Sequence, residues 1–228
     1  MFKHKWDVTI PEATRIQKEM RTRVRFEPLS AMPRTIAGAD ISFNRYSDIF
    51  HAGIVVLSYP DLTLIEKSFF TMQVKFPYVS GYLSFREVPA IMEAYARLKA
   101  KPDVLMMDGN GIAHPRRLGV ATHFGMLLDI PVIGVAKSLL YGVGEEPAPE
   151  KGSISYLTAK DNGDTIGAYL RTKDRVKPVI VSAGHRITLE ESIALTLSVV
   201  RNHRIPEPTR LAHLAVNEFR RARAPHKF

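Results

Sequence analysis

The sequence predicts an α/β fold in which helices flank one mixed central β-sheet, and three observations carry that prediction. Two apolar runs, Ile36-Ala37-Gly38-Ala39-Asp40 and Val104-Leu105-Met106-Met107-Asp108, read as buried strands. Each presents an aspartate at the carboxyl edge of a sheet, where ligands of open α/β sheets bind. Between them, strand-like segments follow one another across short turns, as successive hairpins do. Beyond Asp108 the pattern becomes β/α. The chain has 228 residues, 45% of them hydrophobic, and no Pro/Gly/Ser-rich linker, so residues 1–228 are expected to form a single domain around one core.

A first helix opens at Pro11, because Ala13, Ile16, Met20 and Val24 recur at helical spacing and proline suits a first turn. Its polar face carries Arg15, Lys18, Arg21, Arg23 and Arg25. Strands at 35–43, 52–58 and 62–71, separated by the polar stretch 44–48 and by Tyr59-Pro60-Asp61, make a β-meander with Asp40 on its first strand. Residues 84–99 place Phe85, Val88, Ile91, Met92, Tyr95 and Leu98 on one helical face, with Pro89 near the start. A strand at 104–107 follows directly. A helix at 118–128 and a strand at 132–135 come next. Gly142, Gly144, Pro147, Pro149 and Gly152 then mark the loop expected to be most mobile. Asn162-Gly163 joins strands 154–157 and 165–171 as a hairpin. After a strand at 179–181, Thr188 and Glu191 form a capping box for a helix running to about Val200. A last helix begins near Pro208 and carries Leu211, Leu214, Ala215 and Phe219.

Thirty-two Lys and Arg against 23 Asp and Glu give a net charge of +9, which favours a partner of dense negative charge, nucleic acid first. A solubility charge spread over the surface is the plainer alternative. With no cysteine, disulfides and thiolate metal sites are excluded. No apolar stretch approaches the roughly 20 residues of a membrane span, and residues 1–30 contain acids and no signal-peptide block. A soluble, cytoplasmic protein without a membrane partner is expected.

Two neighbouring strands that end in aspartates would hold like charges in one small space, which persists only when a cation or a shared proton compensates. In a basic chain, that points to a Mg²⁺-type site acting on a phosphodiester. Either aspartate alone is also ordinary turn chemistry, and Asp108-Gly109-Asn110-Gly111 reads equally well as a turn. A third acid, Glu87, lies in the first turn of its helix, where the macrodipole alone would favour it. Three antiparallel strands, a helix, then a strand beside the first, with acids on strand one, helix and strand four, is the order of ribonuclease-H-like nucleases.

At this point the chain resembles endonuclease V over nearly its whole length. The segments that carry the resemblance are Ala37-Gly38-Ala39-Asp40, Phe76-Pro77-Tyr78, Gly81-Tyr82-Leu83-Ser84-Phe85-Arg86-Glu87 and Asp108-Gly109-Asn110-Gly111. Three more follow in order: His114-Pro115-Arg116-Arg117-Leu118-Gly119, Ile133-Gly134-Val135-Ala136-Lys137-Ser138 and Arg204-Ile205-Pro206-Glu207-Pro208-Thr209-Arg210. The resemblance implies a ribonuclease-H-like fold and Mg²⁺-dependent nicking, with Mn²⁺ as a substitute. The cut would fall at the second phosphodiester 3′ to deoxyinosine or another deaminated base, leaving a 3′-hydroxyl and a 5′-phosphate.

Asp40 and Asp108 would then be metal ligands, with Glu87 holding a metal-bound water or completing the shell, since oxygen donors suit a hard cation. Lys137, just past its strand, would reach the scissile phosphate; without the resemblance it reads as a solvated strand end. His213 shares a helix face with Arg210 and would contact the phosphate or a second metal, or merely cap a surface. Pro77 and Tyr78 would act as a wedge beside the lesion, although the stretch also reads as a turn before a helix. Many members carry proline where Ser80 stands here. The base pocket would be built mainly from backbone around Gly81 and Leu83, Gly109 and Gly111, and Gly134 and Ala136. His114, Arg116 and Arg117 read as phosphate contacts, with a plain surface charge as the alternative for Arg117. The expected partner is DNA with deaminated bases, bound by a monomer. An endoribonuclease acting on inosine in RNA and a junction resolvase remain open, as does a non-catalytic nucleic-acid-binding module. Three clustered acids that repel phosphate argue against the last.

Overall fold

The structure, a computed structural model, describes residues 2–223. Its elements are α1 (Ile10–Arg21), β1 (Thr35–Phe43), β2 (Ile49–Ser58), β3 (Leu64–Gln73), α2 (Ser84–Ala96), β4 (Val104–Asp108), α3 (Val120–Leu128) and β5 (Val132–Ala136). Then come β6 (Ile154–Thr158), β7 (Thr165–Leu170), β8 (Val179–His185), α4 (Leu189–Ser198) and α5 (Glu207–Arg221). All the strands join one mixed sheet in the order β3-β2-β1-β4-β5-β8-β7-β6. The meander β3-β2-β1 is antiparallel, while β4 lies parallel to β1 and to β5, which makes the first five strands ribonuclease-H-like.

Helices cover both faces, so β4 is buried on each side and needs no polar alternation. Leu105 and Met107 point into the layer formed with α1, α2 and α3, beside Met20, Phe85 and Phe124. Val104 and Met106 point the other way, toward α4 and α5, beside Ile133, Val199 and Ala212. This two-sided burial is why the run before Asp108 is continuously apolar.

Several boundaries differ from expectation for local reasons. Helix α1 starts at Ile10 because Thr9 and Glu12 form a capping box, and it ends at Arg21, so Val24, Arg23 and Arg25 lie beyond it. Strand β1 has the expected span, 35–43, and its pairing with β2 continues past Asp40 to Phe43 opposite Phe50. The loop expected to be mobile is tied down. Arg171, only 5% exposed, donates to the carbonyls of Ala148 and Pro147 and pairs with Glu146, while Val143 bridges to Thr158. Among the described residues no helix is long and apolar enough to cross a membrane.

The packing of α5 is set by absent side chains. A Cβ at Gly38 of β1 would lie 1.9 Å from the Pro208 carbonyl oxygen, and one at Gly53 of β2 would lie 2.7 Å from Val216 Cβ. The helix therefore presses its small face, Ala212, Ala215 and Val216, onto the sheet. Leu214, expected on the apolar face, is 49% exposed instead. The close approach carries His213 to the aspartate strand.

Candidate active site

The last paired residues of β1 and β4 are Ala39 and Met107, so Asp40 and Asp108 stand next to each other one residue farther along. Asp40 Oδ1 accepts the Ile41 N–H at 2.8 Å, and its Oδ2 lies 2.7 Å from Nδ1 of His213 on α5. Lys137, which follows β5, pairs with Asp108 Oδ2. One ligand atom each from Asp40, Asp108 and His213 fall within 4.8 Å of one another. Glu87, in the first turn of α2, is not one of that trio, but its carboxyl feels both aspartates.

Burial, and then the neighbouring Asp108 charge, push the Asp40 carboxyl up to about 6 against the opposing hydrogen bonds from His213 and Ile41. Burial first, then Asp40 and Asp108, push Glu87 up to about 8. Lys137 offsets part of this negative charge, yet Asp40 and Glu87 stay raised, so a proton or a cation must supply the rest. Two carboxylates and an imidazole converging within 4.8 Å fit a divalent cation.

These raised values make a stability prediction for the metal-free protein. An acid whose folded pKa exceeds its unfolded value binds its proton more tightly when folded, so stability is lost as pH rises from about 4.5 toward 8. Glu87→Gln removes one such acid. In the presence of chelator, it is expected to raise Tm at pH 8 and leave Tm nearly unchanged at pH 4. Equal Tm differences at the two pH values would contradict the buried-acid assignment.

Beside Asp108 and Lys137 opens a cavity of about 410 Å³. Its walls are the segment from Tyr78 to Ser84 on one side and the segment from Ala136 to Leu140 on the other, with Gly109, Asn110 and Gly119 between. Tyr78 is 77% exposed at the mouth and Pro77 is exposed beside it, so the ring is open to a ligand. Gly81 turns the loop at φ +80°, a left-handed conformation open to glycine. Its carbonyl accepts from Arg116 at 2.6 Å, from Gln17 at 3.0 Å and from His114 Nε2 at 3.0 Å.

His114 and Arg116 are therefore placed differently from the phosphate contacts expected. Burial, then the Arg116 charge, lower His114 to about 4, so it is neutral and donates to the Gly81 carbonyl. Arg116 lies 4.1 Å over the Tyr82 ring, holding the same loop. Arg117 is engaged with Asp161 and Asn162 at 2.5 and 3.2 Å. The glycines divide as well. Gly81 and Gly109 line the cavity with Leu83 and Ala136, whereas Gly111 and Gly134 are buried behind it. A Cβ on Gly111 would meet the Ala183 carbonyl oxygen at 2.2 Å, and one on Gly134 would meet Gly111 N at 2.2 Å. Those two serve the packing of the β4–α3 loop on β5 and β8.

With this geometry in hand, comparison with known proteins is decisive: the family profile described as Endonuclease V matches residues 18–214. The chain belongs to the endonuclease V family. An endonuclease V from Nostoc sp. is 48% identical over 92% of this chain and 94% of its own. The crystal structure of endonuclease V from Streptomyces avermitilis superposes with a TM-score of 0.89 at 37% identity, covering 95% of both chains. That of Ciona intestinalis endonuclease V, in its D234N form and in complex with a 23mer DNA containing an inosine followed by a ribo-adenosine, gives 0.83 at 28% identity. It covers 94% of this chain and 99% of that one. The ribonuclease-H-like fold and the nuclease class expected from seven motif segments are thus those of the endonuclease V family.

Some side chains that shape this endonuclease V site escaped the sequence reading. Asn217 donates to the His213 carbonyl at 2.8 Å and lies 3.3 Å from its Nε2; its spacing of four residues on one helix is a signal that could have found it. Arg204 donates to the carbonyls of Lys137 and Pro178, both at 2.8 Å, and so holds the backbone from which the Lys137 side chain departs. Asn110 keeps a buried Oδ1 without a partner at the cavity. Leu139 and Leu140, 41% and 42% exposed, supply an apolar wall that no periodicity marks.

Proposed function

We propose that this protein is a DNA repair endonuclease that nicks DNA at the second phosphodiester 3′ to deoxyinosine and other deaminated bases, leaving a 3′-hydroxyl and a 5′-phosphate. The observation that carries the reading is that Asp108, beside Asp40, lines a cavity of about 410 Å³ whose mouth bears an exposed tyrosine. That volume suits a single base, since small-ligand pockets span about 300–1,000 Å³. The inosine-containing DNA bound by the Ciona relative supports the choice of lesion.

Asp40, Asp108 and His213 would hold Mg²⁺, or Mn²⁺ in its place, with Glu87 supporting them electrostatically. When bound, the cation would neutralise phosphate charge and make water a stronger nucleophile. The chain's own groups do the rest. Lys137, at the cavity wall, offers its ammonium to the charge that grows on the phosphate. Tyr78 replaces lost stacking, and backbone around Gly81, Gly109 and Ala136 approaches the displaced base. Gln17, His114 and Arg116 fix the loop that carries Tyr78. We place this activity in the cytoplasm, in a monomer whose residues 1–228 form one domain.

A duplex with a single inosine tests the reading. One nick mapped to the second phosphodiester 3′ of inosine, absent from the unmodified duplex, is expected; four-way junctions cut in preference to inosine would overturn it. Tyr78→Ala should weaken cleavage of the inosine duplex by the equivalent of about 1–3 kcal/mol, the worth of one base–aromatic stack, and affect single-stranded substrate less. Its Tm should not change, because the ring is exposed. A second reading, cleavage of inosine-containing RNA, draws on the ribo-adenosine that follows inosine in the Ciona complex. Parallel rates on RNA and DNA decide between them.

A further inference from the structure

On the far side of the acidic trio from the cavity, the β1–β2 hairpin and the end of α5 meet. Residues 43–48 and 217–223 carry four arginines, Arg45, Arg220, Arg221 and Arg223, against Asp48 and Glu218. Arg45, Arg221 and Arg223 form no ion pair among the described residues. Tyr46 is 90% exposed, and the Arg45 guanidinium lies 4.8 Å over its ring. Its φ of 64° is left-handed, a conformation disfavoured for a bulky residue and kept only where the surroundings dictate it. They do so here: Ser47 N–H donates to the Asn44 carbonyl at 2.9 Å, Ser47 Oγ accepts from Ile49 at 3.0 Å, and Asp48 accepts from Gln73 at 2.5 Å.

A continuous set of contacts ties this hairpin to the candidate site. Asp40 contacts His213; Asn217 donates to the His213 carbonyl at 2.8 Å; Ser42 Oγ donates to Asn217 Oδ1 at 2.8 Å; Arg220 Nε donates to Ser42 Oγ at 2.8 Å and its NH1 to Asn44. The hairpin is thus held at a fixed offset from the acids. Arg220 is seven residues beyond His213, about 10 Å along the helix. Tyr46 is six residues beyond Asp40, at most about 20 Å along an extended strand.

We infer that this ledge is a second nucleic-acid contact, on which Tyr46 stacks against a base while Arg45, Arg221 and Arg223 meet backbone phosphates of the DNA strand leaving the candidate site. An exposed aromatic ring among unpaired guanidinium groups is what sequence-tolerant strand binding uses, with cations along the backbone and a flat face for a base. At about 3.4 Å per step, the offsets place the contact roughly three to six nucleotides from the cut. The inference rests on the nuclease reading for its substrate but not for its location.

The test measures binding of a fluorescent 30-nucleotide single-stranded DNA, plain or with one central inosine, in chelator and across a salt series. Tyr46→Ala is expected to weaken binding about tenfold and Tyr46→Trp to restore it. Arg45→Ala and Arg221→Ala should each lower the slope of log affinity against log salt by about 0.7, one phosphate contact apiece on a single strand. Strands trimmed from one end, and not the other, should lose wild-type affinity once the ledge is out of reach, and Tyr46→Ala should not respond to that trimming. Affinity, salt slope and trimming response that all match wild type would overturn the ledge. Weakened binding by the variants, with no inosine nicking by the wild type, would leave the ledge standing and remove the nuclease reading.

Discussion

Asp40→Asn and Asp108→Asn are each expected to reduce nicking of an inosine duplex in Mg²⁺ by more than about a thousandfold, because each removes one of two charges that would hold the cation. The fold should survive. Asparagine at position 40 keeps an oxygen for the Ile41 N–H and a partner for His213, so the local hydrogen bonds persist while the charge goes. The metal-free protein should even gain stability at pH 8 from Asp40→Asn, since burial and the Asp108 charge penalise that carboxylate. Three readouts separate the cases: single-turnover nicking, Tm in chelator, and the rise in Tm when Mg²⁺ is added. Lost activity, an equal or higher Tm and a smaller Mg²⁺ response are the expected set. Full nicking by either folded variant would sink the metal assignment.

Lys137→Ala is expected to lower kcat by about 10²–10³, the usual loss when one positioned donor to transition-state charge is removed. The basis is placement: the ammonium pairs with Asp108 at the cavity wall, and Arg204 holds the Lys137 carbonyl at 2.8 Å, so the side chain starts from a fixed point. Substrate affinity should change little, because other cations carry much of the phosphate attraction. Lys137→Arg should recover part of the rate. A loss confined to KM, with kcat intact, would demote Lys137 to a surface charge.

The Asp40–Asp108 juxtaposition was readable because it depends on short-range pattern. A two-sided strand must be apolar throughout, so its first polar residue marks where the β1–β4 pairing ends, and a meander followed by a helix places the next strand beside the first. Thr188 and Glu191 announced α4 for the same reason, since a cap acts within four residues. Thr9 and Glu12 carry an equal signal, and it sets the start of α1 one residue ahead of Pro11. The roles of glycine and of the basic residues were less legible. Gly109 and Gly111 look alike in sequence, yet one lines the cavity and the other is packed against Ala183.

By itself, then, the sequence determined the strand and helix order, the edge at which two aspartates meet, the basic character of the surface and membership of the endonuclease V family. Only the tertiary structure decided that His213, 173 residues from Asp40, joins the aspartates within 4.8 Å while Glu87 stays outside that trio. It also turned His114 and Arg116 inward to the Gly81 carbonyl. The physical reason is range. Periodicity, capping and turn chemistry are written in residues a few positions apart, whereas the approach of α5 to the sheet depends on Gly38 lacking a side chain where the Pro208 carbonyl must lie.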